Sequence, residues 1–116
     1  MRKPFKKNVN EVVVEEAHGG SGKRQVLLSK NDDISTNMEA MTKGYIPPKG
    51  AYDWHNHEAV DELFLVLQGK GTIEFEDGTT LEYAKDDLVH IPADIKHRIE
   101  NTSDSESEFI FIRIKH

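Results

Sequence analysis

The hydrophobic positions of this chain fall in short runs whose spacing is that of strands. Thr72-Ile73-Glu74-Phe75-Glu76 alternates apolar with polar residues, the pattern of a strand with one covered face. Asp77-Gly78 then supplies a tight hairpin turn before Thr79-Thr80-Leu81-Glu82-Tyr83. Glu62 to Leu67 is an apolar run that stops at Gly69, Leu88-Val89-His90-Ile91 stops at Pro92, and a further strand runs from His97 to Asn101. Phe109 to Ile114 is β-branched and aromatic on both faces, which predicts a deeply buried strand. Upstream, Glu11–Val14, Gln25–Leu28 and Met38–Ile46 predict three more, although Met38-Glu39-Ala40-Met41 also suits the first turn of a helix. Turn-forming clusters at Gly19–Gly22, Asn31–Asp33, Pro47–Gly50 and Asn101–Asp104 separate these pieces, and no segment carries a helical stripe of useful length. Short strands at roughly ten-residue spacing predict an all-β sandwich or barrel. Residues 1–116 are expected to form one domain, with 1–10 as a flexible or edge-pairing lead-in.

Composition narrows this picture. With 36% hydrophobic and 31% charged residues, the chain is polar but has the means for one modest core. It has no cysteine, so neither a disulfide framework nor a thiolate metal site is available, which suits a reducing cytoplasm. The net charge of −6, with basic residues dispersed beyond position 7, argues against a nucleic-acid partner. The basic start Met1–Lys7 is not followed by an apolar stretch, and no run approaches the ~20 residues needed to cross a bilayer. A cytoplasmic protein without membrane contact is the expectation. Gly19-Gly20-Ser21-Gly22-Lys23 hints at a phosphate loop, but Ala17 and Arg24 stand where that motif needs glycine and Ser or Thr, so the segment reads as a flexible turn. The acidic, serine-rich stretch Ser103–Glu108 reads as a solvated loop.

The chemistry concentrates in Asp53-Trp54-His55-Asn56-His57-Glu58-Ala59-Val60-Asp61-Glu62. On a strand, residues two apart point to the same side, so His55 and His57 can face one point between them, a pincer for zinc, copper, iron or nickel. Glu62 shares a face with Phe64 and Val66; a carboxylate unpaired beside apolar surface is costly, and a cation in front of it removes that cost. His97, after the turn that follows Pro92, is the fourth candidate. Trp54 alternates with His55 and should point away. Phe64, Phe75, Phe111 and Tyr45 could wall a pocket or fill the core, and the side taken by His90 stays open.

Taken together, Gly50, His55, His57, Glu62 and Gly69 resemble the first motif of the cupin superfamily, with a first gap one residue short. Pro92, His97 and Asn101 resemble the second, with Asp86 and Asp94 in place of its two glycines; aspartate tolerates the left-handed turn conformation better than most residues. The resemblance spans about residues 44–114 and implies the cupin double-stranded β-helix, a jelly-roll barrel. It also implies one divalent transition metal (Fe, Mn, Ni, Cu, Co or Zn) on His55, His57, Glu62 and His97, and a homodimer formed through sheet edges, for which Val12-Val13-Val14 is a suitable edge. Two function classes follow. One is a metal-dependent enzyme acting on a small polar molecule (sugar, sugar acid or carboxylate), of dioxygenase, isomerase or lyase type. The other is a non-catalytic module that binds such a ligand.

Overall fold

Period-two patterning sends alternate side chains to opposite faces of a strand, and the burial of this chain follows it closely. The computed structural model describes residues 2–116. Among these, the strands are β1 (Glu15–Glu16), β2 (Lys23–Leu28), β3 (Met38–Ile46), β4 (Ala51–His55), β5 (Val60–Gln68), β6 (Gly71–Phe75), β7 (Thr80–Tyr83), β8 (Leu88–Ile91), β9 (His97–Asn101) and β10 (Ser107–Lys115). They form a six-stranded sheet in the order β1-β2-β3-β10-β5-β8 and a four-stranded sheet in the order β4-β9-β6-β7. All pairings are antiparallel.

Between the sheets lies a core of Ile46, Phe64, Val66, Ile73, Tyr83, Ile91, Ile99 and Phe109, each almost wholly buried. Phe109 is its centre: its ring lies 5.6 Å from Phe64, 5.4 Å from Phe111 and 5.2 Å from Tyr83, centroid to centroid. Such edge and tilted contacts suit the quadrupoles of aromatic rings. Glu62 continues the buried face of Phe64 and Val66 along β5, and this is how a carboxylate enters the interior.

Several sequence expectations are refined. Met38–Ile46 is strand throughout, with Ala40, Thr42, Gly44 and Ile46 turned inward. Glu11–Val14 is not a strand; Val9–Glu11 forms a 3-10 turn, and only Glu15–Glu16 pairs with β2. The reason is local: Gln25 Nε2 donates to the carbonyls of Val9 (2.8 Å) and Val12 (2.9 Å), so a side chain satisfies backbone that a ladder would otherwise take. This also places part of the 1–10 lead-in against β2; Met1 lies outside the described residues. β10 is buried on one face only, since Ile110 and Ile112 are half-buried and Ile114 exposed on the outer side. Ser103–Glu108 is not simply a solvated loop. Ser103 and Ser107 are buried, and Asn101 binds this turn: its Nδ2 donates to the carbonyls of Ile46, Pro47 and Ser105, and its Oδ1 accepts from Ser103 N–H and Oγ.

Asp86 and Asp94 adopt φ of 74° and 70°, the left-handed region that glycine enters most freely. Elsewhere glycine is required by close approach. A Cβ on Gly20 would stand 2.3 Å from the Ala51 carbonyl oxygen, and one on Gly22 would stand 2.1 Å from the Tyr52 ring. The Gly19–Gly22 turn therefore lies directly on β4, tied by Gly22 N–H to the Ala51 carbonyl (3.1 Å) and by Asp53 N–H to the His18 carbonyl (3.3 Å).

Candidate metal centre

Antiparallel register brings the first two ligand candidates together. His55 on β4 lies opposite His97 on β9, and their rings are 4.4 Å apart. His57 is not on the strand with His55, because β4 ends at His55 and His57 sits in the turn that follows. Glu62 arrives from β5 in the other sheet, 3% exposed, beside His97, which is 1% exposed. One ligand atom from each of His55, His57, Glu62 and His97 lies within 4.8 Å of all the others, so the group could hold a metal ion.

The hydrogen bonds of this group favour that use. His55 Nδ1 lies 2.6 Å from the Asp53 carbonyl oxygen, and His97 Nδ1 lies 2.9 Å from that of Ile95. A carbonyl only accepts, so Nδ1 carries the hydrogen in both rings, and in the neutral tautomer this leaves the lone pair on Nε2. Bonds of this kind fix the tautomer and orientation of ligating imidazoles. His57 Nε2, Glu62 Oε1 and His97 Nε2 are buried without a hydrogen-bond partner. His57 Nε2 does lie 3.0 Å from Glu62 Oε2, and His97 Nε2 3.6 Å from Glu62 Oε1, but the first contact lacks the direction of a hydrogen bond and the second is too long for one. Two orphaned imidazole nitrogens converging on an orphaned carboxylate oxygen are the arrangement a cation would satisfy. Three imidazole nitrogens and one carboxylate fit a first-row divalent ion and leave room in an octahedral shell for further ligands.

Electrostatics keep the donors in a ligating state. Burial alone would raise the Glu62 carboxyl; hydrogens on the facing His57 and His97 nitrogens would hold it below the usual carboxylate range, and where those nitrogens present lone pairs instead, a cation would take that part. Burial, with His97 close by, lowers His55 to about 4. A residue with no place in the expected site joins it here. His18, at the left-handed φ of 55°, stacks on His55 with ring centroids 3.8 Å apart and planes 7° from parallel. Burial and the adjacent His55 lower its pKa to about 3.

These two depressed histidines set a pH dependence for the metal-free protein. In the unfolded chain both take a proton near pH 6.5; in the fold they stay neutral to about 3 and about 4. Between those values the unfolded state binds more protons, so stability falls as pH drops from about 6.5 toward 4, by about 1–2 kcal/mol per pH unit. Urea unfolding of metal-stripped protein across that window is expected to show the slope, and a flat profile would refute the buried, neutral pair.

The remaining candidates sort by face. Phe111 lines the small cavity beside His55 and Glu62, and the Phe75 ring lies 6.5 Å from that of His97. Phe64 belongs to the core. Tyr45 faces outward and donates its hydroxyl to Gln25 Oε1. His90 faces away from the pocket, exposed and 3.2 Å from Asp61, and Trp54, expected to point away from the site, is exposed.

A family profile described as a cupin domain matches residues 44–113. The chain belongs to the cupin family. Among relatives, this cupin is 45% identical over 49 residues to the Bacillus subtilis protein YdbB, a match covering 42% of this chain and 43% of that protein, less than half of either. It is 26% identical over 98 residues to a Thermotoga maritima protein named oxalate-binding protein, covering 83% of this chain and 79% of the relative. In three dimensions it is similar to a Thermotoga maritima crystal structure titled a predicted oxalate decarboxylase, with a TM-score of 0.85, 23% identity, and 97% and 100% of the two chains covered. It is also similar to a Streptomyces resistomycificus polyketide cyclase, with a TM-score of 0.80, 17% identity, and 97% and 80% covered. At such identities these structures speak for the fold alone, and that fold is the all-β cupin double-stranded β-helix. No helix among the described residues is long and apolar enough to cross a membrane.

Proposed function

We propose that this cupin is a metal-dependent enzyme acting on a small polar molecule, with one divalent transition metal held by His55, His57, Glu62 and His97. The observation that carries this reading is the set of three buried, partnerless atoms, His57 Nε2, Glu62 Oε1 and His97 Nε2, gathered from both sheets. When bound, the ion supplies a Lewis acid that polarises a carboxylate, carbonyl or enol oxygen of the ligand. The chain's own part is positional. The carbonyls of Asp53 and Ile95 orient two imidazoles, Glu62 supplies the anionic donor, and Phe111 and Tyr52 give the adjoining cavity apolar walls. Sugars, sugar acids and carboxylates are the ligand classes that suit such a site, and dioxygenase, isomerase or lyase chemistry the reaction types. The name of the Thermotoga maritima oxalate-binding relative supports a second reading, a module that holds its ligand without turning it over. Elemental analysis of protein purified without a histidine tag is expected to find about one transition metal per chain. Absence of metal, together with failure to take up added Mn, Fe, Ni, Cu, Co or Zn, would defeat the proposal. Turnover against binding of small acids separates enzyme from module.

The homodimer belongs with this proposal. Val13 and Val14 are exposed just before the edge strand β1, and Leu65, Leu88 and Ile114 are exposed on the six-stranded sheet. Apolar surface of this kind suits a second copy of the chain. Light scattering is expected to give twice the 13.2 kDa chain mass.

A further inference from the structure

Arg113 sits on β10 directly across from Glu62 of β5, on the inward face that Phe109 and Phe111 occupy. With Arg24, His18, His55 and Glu62 it lines a cavity of about 10 Å³ beside the four candidate ligands. That is room for about one water molecule or ion. The same two arginines also line a cleft of about 510 Å³ that opens outside, next to Asn56, His57 and Glu58. The pair thus stands where the inner cavity meets the route in.

Arg24 is paired, but the charge of Arg113 has no direct partner among the described residues. Burial pushes the Arg113 guanidinium down; Glu62 across the ladder opposes this, and the neighbouring Arg24 adds to the lowering by less. Arg113 makes no side-chain hydrogen bond and no ion pair among the described residues. Glu39, the other acid near it, pairs with Lys30 at 3.1 Å. Arg24 spends only its Nε, on Glu15 at 2.9 Å. A half-buried guanidinium with five donors idle is unfavourable unless a ligand's acceptors complete it. A neutral sugar offers no charge to a guanidinium, whereas a carboxylate does, and its two oxygens match the guanidinium fork.

We propose that Arg113, assisted by Arg24, is the specificity-determining residue of the site and selects a small carboxylate that bears a second oxygen donor: a dicarboxylate, a 2-hydroxy acid or a 2-oxo acid. One carboxylate pairs with Arg113 while the second oxygen reaches the ion. This rests on the metal reading above and narrows its ligand class, against a neutral sugar.

The test is calorimetric titration of Mn(II)-loaded protein with oxalate, glycolate and ethylene glycol, the last being neutral and of similar size, with metal content measured in parallel. Arg113→Gln is expected to keep its metal and to bind oxalate and glycolate at least about tenfold more weakly, the scale of a lost charge-assisted, bidentate contact. Arg113→Lys, which keeps the charge and loses the fork, is expected to fall between; it also serves if the Gln variant does not fold. Ethylene glycol is expected not to bind. Equal oxalate affinity in the parent and Arg113→Gln, or no preference for the acids over ethylene glycol, with metal content normal, would overturn this inference and leave the metal reading standing. A parent protein that takes up no metal would defeat the metal reading, and this inference with it.

Discussion

His57→Ala is expected to weaken divalent-metal binding by more than 100-fold while the metal-free protein melts within a few degrees of its parent. Four-ligand structural zinc sites in zinc-finger peptides are worth on the order of 10–16 kcal/mol, and on that scale one ligand's share is about 3 kcal/mol. His57 is the candidate whose removal isolates that share. It lies beyond the end of β4 rather than in a ladder, its side chain retains 13% exposure, and its Nε2 gives up no hydrogen bond. His97→Ala is a poorer test, because His97 is almost fully buried and packs against His55, so its loss opens a cavity as well. Competition titration against a metal-sensitive dye, with thermal melts of the stripped proteins, separates the two effects. Undiminished metal affinity in His57→Ala would remove His57 from the ligand set.

Phe109→Ala is expected to give the largest loss of stability, about 3–5 kcal/mol. That corresponds to a fall in melting temperature on the order of 10–20 °C for a chain of this size. Phe109 is 0% exposed, contacts Phe64, Tyr83 and Phe111 in the core, and lies on β10, which is paired on both sides, with β3 and β5. Removing its ring leaves a void that strands hydrogen-bonded on both edges can close only in part. Chemical denaturation gives the value directly, and a cost below about 1 kcal/mol would mean that the core collapses around the gap.

Much of this architecture is legible in the sequence because much of it is local. Alternation along β5 is enough to set Glu62 on one face with Phe64 and Val66, and the resemblance to the cupin motifs adds His97 to His55 and His57 among the residues that the fold gathers. Asp86 and Asp94 read as glycine substitutes by the same resemblance, and aspartate's tolerance of left-handed backbone makes the exchange workable. What escapes such a reading depends on contacts between distant segments. Val12–Val14 has strand composition, but the Gln25 side chain occupies its neighbouring carbonyls. His18 lies in a glycine-rich turn that reads as flexible; only the absence of Cβ atoms at Gly20 and Gly22 lets that turn settle on β4 and set the imidazole over His55. The side taken by His90 follows from its neighbours, since Val89 and Ile91 are buried and turn it outward.

The candidate donors come from both layers of the sandwich: His55 and His97 from the smaller sheet, Glu62 from the larger. An ion seated there would act as a rivet through the two layers. Any breathing motion that parts them would first have to release it, so occupancy should slow amide exchange in β4, β5 and β9 together, and do so in step with cation concentration.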